Sequence, residues 1–227
     1  VNGSRADYGL MRELMYLVNN DSNCVLKIIV TGSHLSNFYG NTSKEIKEDE
    51  FVTTEKVPVI DKDDSAGGIS KSIGEGVKGI TKALLKINPD IVILLGDRYE
   101  ILSAALTAYI MNIPIVHIAG GEVTRGSYDD GFRHSITKLS NVHFVTTDQH
   151  RKRVIQLGEN PKTVFNVGSV GLITLKKSKY LKKGEIEKKL RTKLFKKNVI
   201  LTLHPETLGV IDNRKTLKCL FEVLNSY

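Results

Sequence analysis

Long hydrophobic runs are missing from this sequence of 227 residues. No stretch of about 18 apolar residues occurs, which argues against a membrane-spanning helix. The opening residues, VNGSRADYGL, hold no apolar segment of the secretory-signal kind. Cysteine is scarce: Cys24 and Cys219 stand far apart and fit no metal or redox spacing. A reducing, cytoplasmic setting is therefore expected. Several chemistry-bearing motifs are missing too. No HExxH zinc helix, no GxxxxGKS phosphate loop and no GxSxG nucleophile elbow occurs. No glycine fingerprint follows a predicted strand to open a dinucleotide-binding helix.

What is present is ordinary for a soluble globular protein, with 41% hydrophobic and 26% charged residues. The formal net charge of +8 is local. Residues 176–197 carry eleven Lys and Arg against Glu185 and Glu187, so the rest of the chain is close to neutral. Ile186, Leu190 and Leu194 recur every four residues there, one buried stripe on a solvated helix. No aromatic platform accompanies the charge, so neither nucleic acid nor a membrane is expected as a partner.

Apolar strands and amphipathic helices alternate along the chain. Residues 25–30, 91–95, 115–118, 142–147 and 163–167 read as strands. Residues 69–87, 99–111, 131–140 and 148–157 read as helices. The very apolar 99–111 is expected to pack on more than one side. Strands separated by helices imply right-handed crossovers and a Rossmann-like α/β fold: a mostly parallel sheet with helices on both faces. Ligands in such folds sit beyond the carboxyl ends of the strands. The expected organisation is a domain over 1–175, a basic linker helix over 176–197, and a new strand, loop and helix over 198–227. The glycine turn at the start lacks a strand to feed it, and the last strand and helix cannot bury their faces alone. Both ends thus read as parts of a longer chain.

Polar clusters gather at the predicted strand ends: GSRADYG (3–9), TGSHLS (31–36), GDRYE (96–100), HIAGGEV with YDDGFRH (117–134), and LHPET (203–207). Gly96 lets the chain turn, placing Asp97 and Arg98 at the lip of the crevice near a helix N-terminus. Asp97 either caps that helix or joins a site; the acidic turns at Glu122 and at Asp129 and Asp130 favour the site. Glu100 reads as a helix-start carboxylate complementing the dipole. Gly120 and Gly121 permit either a close backbone approach to a ligand or a tight turn. Arg5 either meets an anion or faces solvent. Taken singly, His34 and His204 read as structural histidines.

These motifs, with GISKSIG, PDIVILLGDRYEILSAALTAYIMNIPIVHIAGGEVTRG, DDGFRHSITKLSNVHFVTT, RKRVIQLGENP and VFNVGSVG, resemble the hydrolysing UDP-N-acetylglucosamine 2-epimerases of sialic acid synthesis. The likeness runs in order from Gly3 to about Thr207. It implies half of a glycosyltransferase-B-like fold, with a UDP-sugar lying between two Rossmann-like domains and most uridine contacts on the second. It implies a reaction in which UDP-GlcNAc and water give N-acetylmannosamine and UDP, with no metal or nicotinamide cofactor. By position, Asp97 is the leading acid/base, and Glu122, Asp129 and His204 join it as catalytic candidates. Arg5, Gly9, His34, Arg98, Arg133 and His134 are the substrate-binding candidates, Arg5 and Gly9 on the UDP side and His34 near the sugar. Some relatives carry glutamate where this chain has Ala119; Glu122 is the substitute, with Asp129 as alternative. UDP-N,N′-diacetylbacillosamine is an alternative substrate, a non-hydrolysing 2-epimerase an alternative enzyme, and a dimer or tetramer is expected. A retaining glycosyltransferase and a sugar-nucleotide-binding regulatory domain are the more distant readings.

Overall fold

A computed structural model describes residues 1–59, 65–177, 180–203 and 212–226. Among them the helices are α1 (Arg5–Asn19), α2 (Ser43–Glu48), α3 (Ala66–Ile87), α4 (Tyr99–Ile110), α5 (Tyr128–Leu139), α6 (Asp148–Gln156), α7 (Gly171–Lys177), α8 (Lys183–Leu190) and α9 (Asn213–Leu224). The strands are β1 (Ile28–Thr31), β2 (Thr53–Val57), β3 (Val92–Leu95), β4 (Ile115–Ile118), β5 (Val142–Val145) and β6 (Val164–Asn166). Two compact units are formed, and every described strand belongs to the first, Val1–Arg125 with Asp129–Lys176. The second holds α8 and α9. Residues 198–203, expected as a strand, form none. Val199 and Ile200 are exposed there, and among the described residues no strand pairs with them.

All strand pairings are parallel, in the orders β1–β2 and β3–β4–β5–β6. The alternation of side chains along the strands puts the two larger core clusters on opposite faces, with a third, smaller one of Val145, Val154 and Val164 at β5, β6 and α6. Ile29, Val92, Leu94 and Ile115 face α3, α4 and α5, where they meet Ile80, Leu84, Ala104 and Ile136. Ile28, Val30, Leu95, Val116 and Ile118 face α1, where they meet Tyr8, Met11 and Met15. Helices therefore cover both faces, as the apolar runs predict.

Asn2 lies between the two sheets. Its N–H donates to the Ile29 carbonyl at 2.9 Å, its carbonyl accepts from Thr31 N–H at 2.9 Å, and the Val1 ammonium donates to the Ile93 carbonyl at 3.2 Å. A space of about 560 Å³ opens beside it, lined by Met11, Met15, Ile28, Ile87 and Ile93. It lies at the amino ends of β1 and β3, away from the strand ends where charges gather.

Local signals explain the helix boundaries. Ser4, Ser65 and Thr147 cap α1, α3 and α6 by accepting backbone N–H bonds, and Asn88 ends α3 in a left-handed conformation at φ 47°. Within α3, Gly74, Gly76 and Gly79 happen to have GxGxxG spacing, but they sit in a helix interior. A Cβ on Gly76 would come within 2.6 Å of Ser103 Oγ, so this glycine lets α3 and α4 approach closely. The other side of α4 departs from expectation: Tyr109 and Ile110 are exposed, so the helix buries one broad small-residue face.

Candidate active site

The carboxyl ends of β3 and β4 build one polar cluster. Gly96 turns the chain with φ 81°, and its N–H donates to the Ile118 carbonyl at 3.1 Å. That turn delivers Asp97, which forms an ion pair with Arg133 of α5. Arg133 is almost fully buried, also donates to Thr124 Oγ1 at 3.0 Å, and lies 3.7 Å from Asp130. Burial lowers its pKa. Asp130 in turn accepts from the Thr124 N–H at 2.7 Å and stands 3.9 Å from His134. Asp97, Arg133, His134, Thr124 and Asp130 are thus one network; Asp129 beside it on α5 is half-buried. Asp130, part of an acidic turn that already points to a site in the sequence, is a member of this network, and the helical (i, i+3) spacing to Arg133 is the local signal of its pairing.

Glu122 is held elsewhere. Thr146, just after β5, donates to its carboxylate at 3.0 Å, and His150 of α6 lies 4.0 Å away. The paired glycines before it serve the interior. A Cβ on Gly120 would meet His117 Nδ1 and Thr137 Oγ1 at 3.0 Å, and one on Gly121 would fall 2.5 Å from the His150 carbonyl.

Arg98 and Glu100 form a second centre. Arg98 Nε donates to Glu100 Oε1 at 2.7 Å, with the arginine side chain 41% exposed and the glutamate fully buried. Burial opposes the charge on Arg98, but Glu100 and Asp7 override it and raise the pKa. Burial pushes the Glu100 carboxyl above the ordinary range, with Arg98 pulling it partly back; burial also raises Asp7. Glu100 Oε2 and Asp7 Oδ2 are buried and have no hydrogen-bond partner. Glu100 is therefore more than a helix-start carboxylate complementing the dipole. Its carboxylate lies against Gly3 and Gly32, where a Cβ would come within 2.8 Å and 2.5 Å of Oε1, so both glycines make room for it.

The remaining candidates separate. His34 is wholly buried, with Nε2 2.9 Å from Asn2 Oδ1 and Nδ1 2.8 Å from Thr42 Oγ1. Burial lowers its pKa, and both nitrogens are occupied, which leaves neither open to a sugar. Arg5 is exposed and pairs with Glu45 at 2.9 Å. Arg5 and Gly9 border an open depression of about 820 Å³ shared with Ser169, Gly171 and Leu172. Gly9 would accept a Cβ without meeting any atom within 4 Å, so its side faces open space. His204 lies outside the described residues. Among the described residues no group of three or more His, Cys, Asp or Glu could hold a metal ion, and no helix is long and apolar enough to cross a membrane.

A parallel α/β sheet with helices on both faces and its charged turns collected at the strand carboxyl ends defines a Rossmann-like domain. The chain belongs to the UDP-N-acetylglucosamine 2-epimerase family, whose model matches residues 17–227. It is 42% identical over 226 residues to a Campylobacter jejuni protein named GDP/UDP-N,N′-diacetylbacillosamine 2-epimerase (hydrolyzing), covering 100% of this chain and 59% of the relative. It is 40% identical over 209 residues to the Escherichia coli polysialic acid biosynthesis protein P7, covering 92% of this chain and 53% of the relative. The chain thus spans between half and three-fifths of the length of these relatives. Among solved structures, UDP-GlcNAc 2-epimerase from Neisseria meningitidis bound to UDP-GlcNAc superposes with a TM-score of 0.68 at 19% identity, over 77% of this chain and 47% of that one. The Rickettsia bellii UDP-N-acetylglucosamine 2-epimerase gives 0.67 at 21% identity, over 84% and 50%. The fold is that of about half a glycosyltransferase-B-like molecule.

Proposed function

We propose that the protein is a hydrolysing UDP-N-acetylhexosamine 2-epimerase. The observation that carries this reading is the pairing of Asp97 with buried Arg133 at the end of β3, inside a chain whose 42% and 39% identical relatives bear hydrolysing 2-epimerase names. The sugar C2–H is too weakly acidic to be removed alone. It becomes removable as the C1–O bond to UDP lengthens and C1 gains positive character. A base takes the C2 proton, the C1–O electron pair leaves with UDP, and a C1=C2 double bond forms. Water then adds its oxygen to C1, and a proton returns to C2 on the opposite face. In this reading Asp97 carries one proton transfer. Arg98, half-exposed with its Nε held by Glu100, contacts the nucleotide or sugar.

The second transfer falls to Glu122, with Asp129 as the alternative, since Ala119 cannot act. Glu122→Gln is then expected to lower kcat by about 10²-fold or more. Full turnover in that variant removes Glu122 from the mechanism. The substrate is UDP-GlcNAc, giving N-acetylmannosamine for sialic acid synthesis, or UDP-N,N′-diacetylbacillosamine, favoured by the names of the 42% and 39% identical relatives. Protein expressed from the complete reading frame should release UDP from at least one of them in a coupled assay. No UDP from either overturns the enzyme reading. The protein is further taken as a cytoplasmic homo-oligomer, with exposed Tyr109 and Ile110 on α4 as one apolar surface for it; a monomeric mass in sedimentation contradicts this.

A further inference from the structure

His117 lies in β4, in register with Leu94 of β3 and His143 of β5, and is wholly buried. Its Nε2 is 2.8 Å from the Gly96 carbonyl and its Nδ1 is 3.1 Å from Thr137 Oγ1. A carbonyl can only accept, so the proton belongs on Nε2. Burial lowers the ring's pKa to about 4, so the imidazole is neutral and Nδ1 presents a lone pair. The Thr137 hydroxyl has one proton and two acceptors in reach, His117 Nδ1 and the Arg133 carbonyl at 3.0 Å.

Those contacts fall on the two sides of one ion pair. Gly96 directly precedes Asp97. Thr137 follows Arg133 by one helical turn on α5. Gly96 is tied to β4 at both ends, since its N–H donates to Ile118 and its carbonyl accepts from His117. Gly96 stands at φ 81° and has no Cβ, so little steric resistance holds the following peptide in place once the carbonyl is released. Gly120 keeps the space beside the ring clear, because a Cβ there would press on both His117 Nδ1 and Thr137 Oγ1. The brace is therefore the bond from His117 to Gly96, with Gly120 and Thr137 seating the ring.

We propose that His117 is a positioning residue, which fixes Asp97 against Arg133 by donating its Nε2–H to the Gly96 carbonyl, while Thr137 at Nδ1 orients the ring. The proposal rests on the reading of Asp97 as an acid/base group, but its geometry can be read without turnover. Glutamine places an amide donor where Nε2 stands and keeps the bond to Gly96. Asparagine places its amide where Nδ1 stands, keeps a partner for Thr137 and leaves Gly96 unbonded. A histidine that merely fills the core would treat the two replacements alike.

The test compares His117→Gln and His117→Asn in protein from the complete reading frame, both checked by thermal melting. His117→Gln should keep kcat within about threefold, whereas His117→Asn should lose about 10-fold to 10²-fold in kcat with KM changed less than about twofold, the scale of a small misplacement of a reacting group. Rotation of the Arg133 guanidinium, followed by nitrogen-15 NMR, should be slow in the wild type and in His117→Gln and fast in His117→Asn. Equal kcat and equal rotation in the two variants overturn the proposal. If the wild type turns over neither UDP-sugar, the enzyme reading fails, and the rotation measurement alone decides the brace: a difference between the variants supports it and no difference overturns it.

Discussion

Asp97→Asn should lower kcat for the UDP-sugar by about 10²- to 10⁴-fold, the usual worth of a placed proton-transfer group. Asparagine preserves the size and one acceptor of the side chain, so the turn after Gly96 is kept. It cannot take or return a proton. The same change leaves Arg133 buried without its principal counter-charge, with Asp130 at 3.7 Å as the nearest remaining carboxylate. Some loss of stability accompanies the loss of rate, and rate must be measured on protein shown to be folded. Asp97→Glu separates the two effects, since it restores the charge beside Arg133 at a displaced position. The expected order of kcat is wild type, then Asp97→Glu, then Asp97→Asn. A kcat within tenfold of wild type in Asp97→Asn would reduce Asp97 to a structural partner of Arg133.

Much of this arrangement is readable before any coordinate. The run IVHI is β4, bounded as its apolar pattern implies, and the parallel order follows from helices lying between strands. Asp97, Arg98, Arg133 and Glu122 are visible as polar residues crowding the ends of apolar strands. The segment 43–57 was not visible. β2 reads TTEKV, a strand that pairs with β1 alone among the described residues and has mostly half-exposed side chains, so it lacks the apolar alternation that marks a strand. α2, six residues long, is too short to show a helical period. The pairings inside the site were hidden for a different reason. Gly96 and His117 are 21 residues apart, and Asp97 and Arg133 are 36 apart, so no local spacing announces either contact. Glu100 and His34 show the same limit with opposite outcomes. The carboxylate that reads as a helix-start group complementing the dipole is buried against two glycine turns, while the histidine at a strand end is occupied by Asn2 and Thr42.

Arg98→Met should destabilise the protein by about 3 kcal/mol at pH 7.5, the lower end for breaking a buried ion pair, because water reaches Arg98 while Glu100 is enclosed. The loss is not of the arginine's own contacts but of the neutralising charge. Glu100 already has its pKa raised by burial, and Arg98 is what pulls it back. Without Arg98 the pKa rises further. A carboxyl whose folded pKa exceeds its unfolded value, about 4.3, contributes fully below that value and loses its contribution as pH rises through the folded pKa. The deficit of Arg98→Met should therefore be small near pH 5 and grow toward pH 7.5. Urea midpoints at the two pH values measure it, with the wild type showing a shallower dependence over the same range. Adding Glu100→Gln removes the charge that has lost its partner while keeping the shape between Gly3 and Gly32. The double variant should recover most of the lost midpoint at pH 7.5 and lose the added pH dependence. A deficit that stays constant from pH 5 to 7.5 would mean that Glu100 does not carry the buried charge, and that Arg98 stabilises the fold through packing on Tyr99, whose ring centroid lies 5.8 Å from the guanidinium carbon.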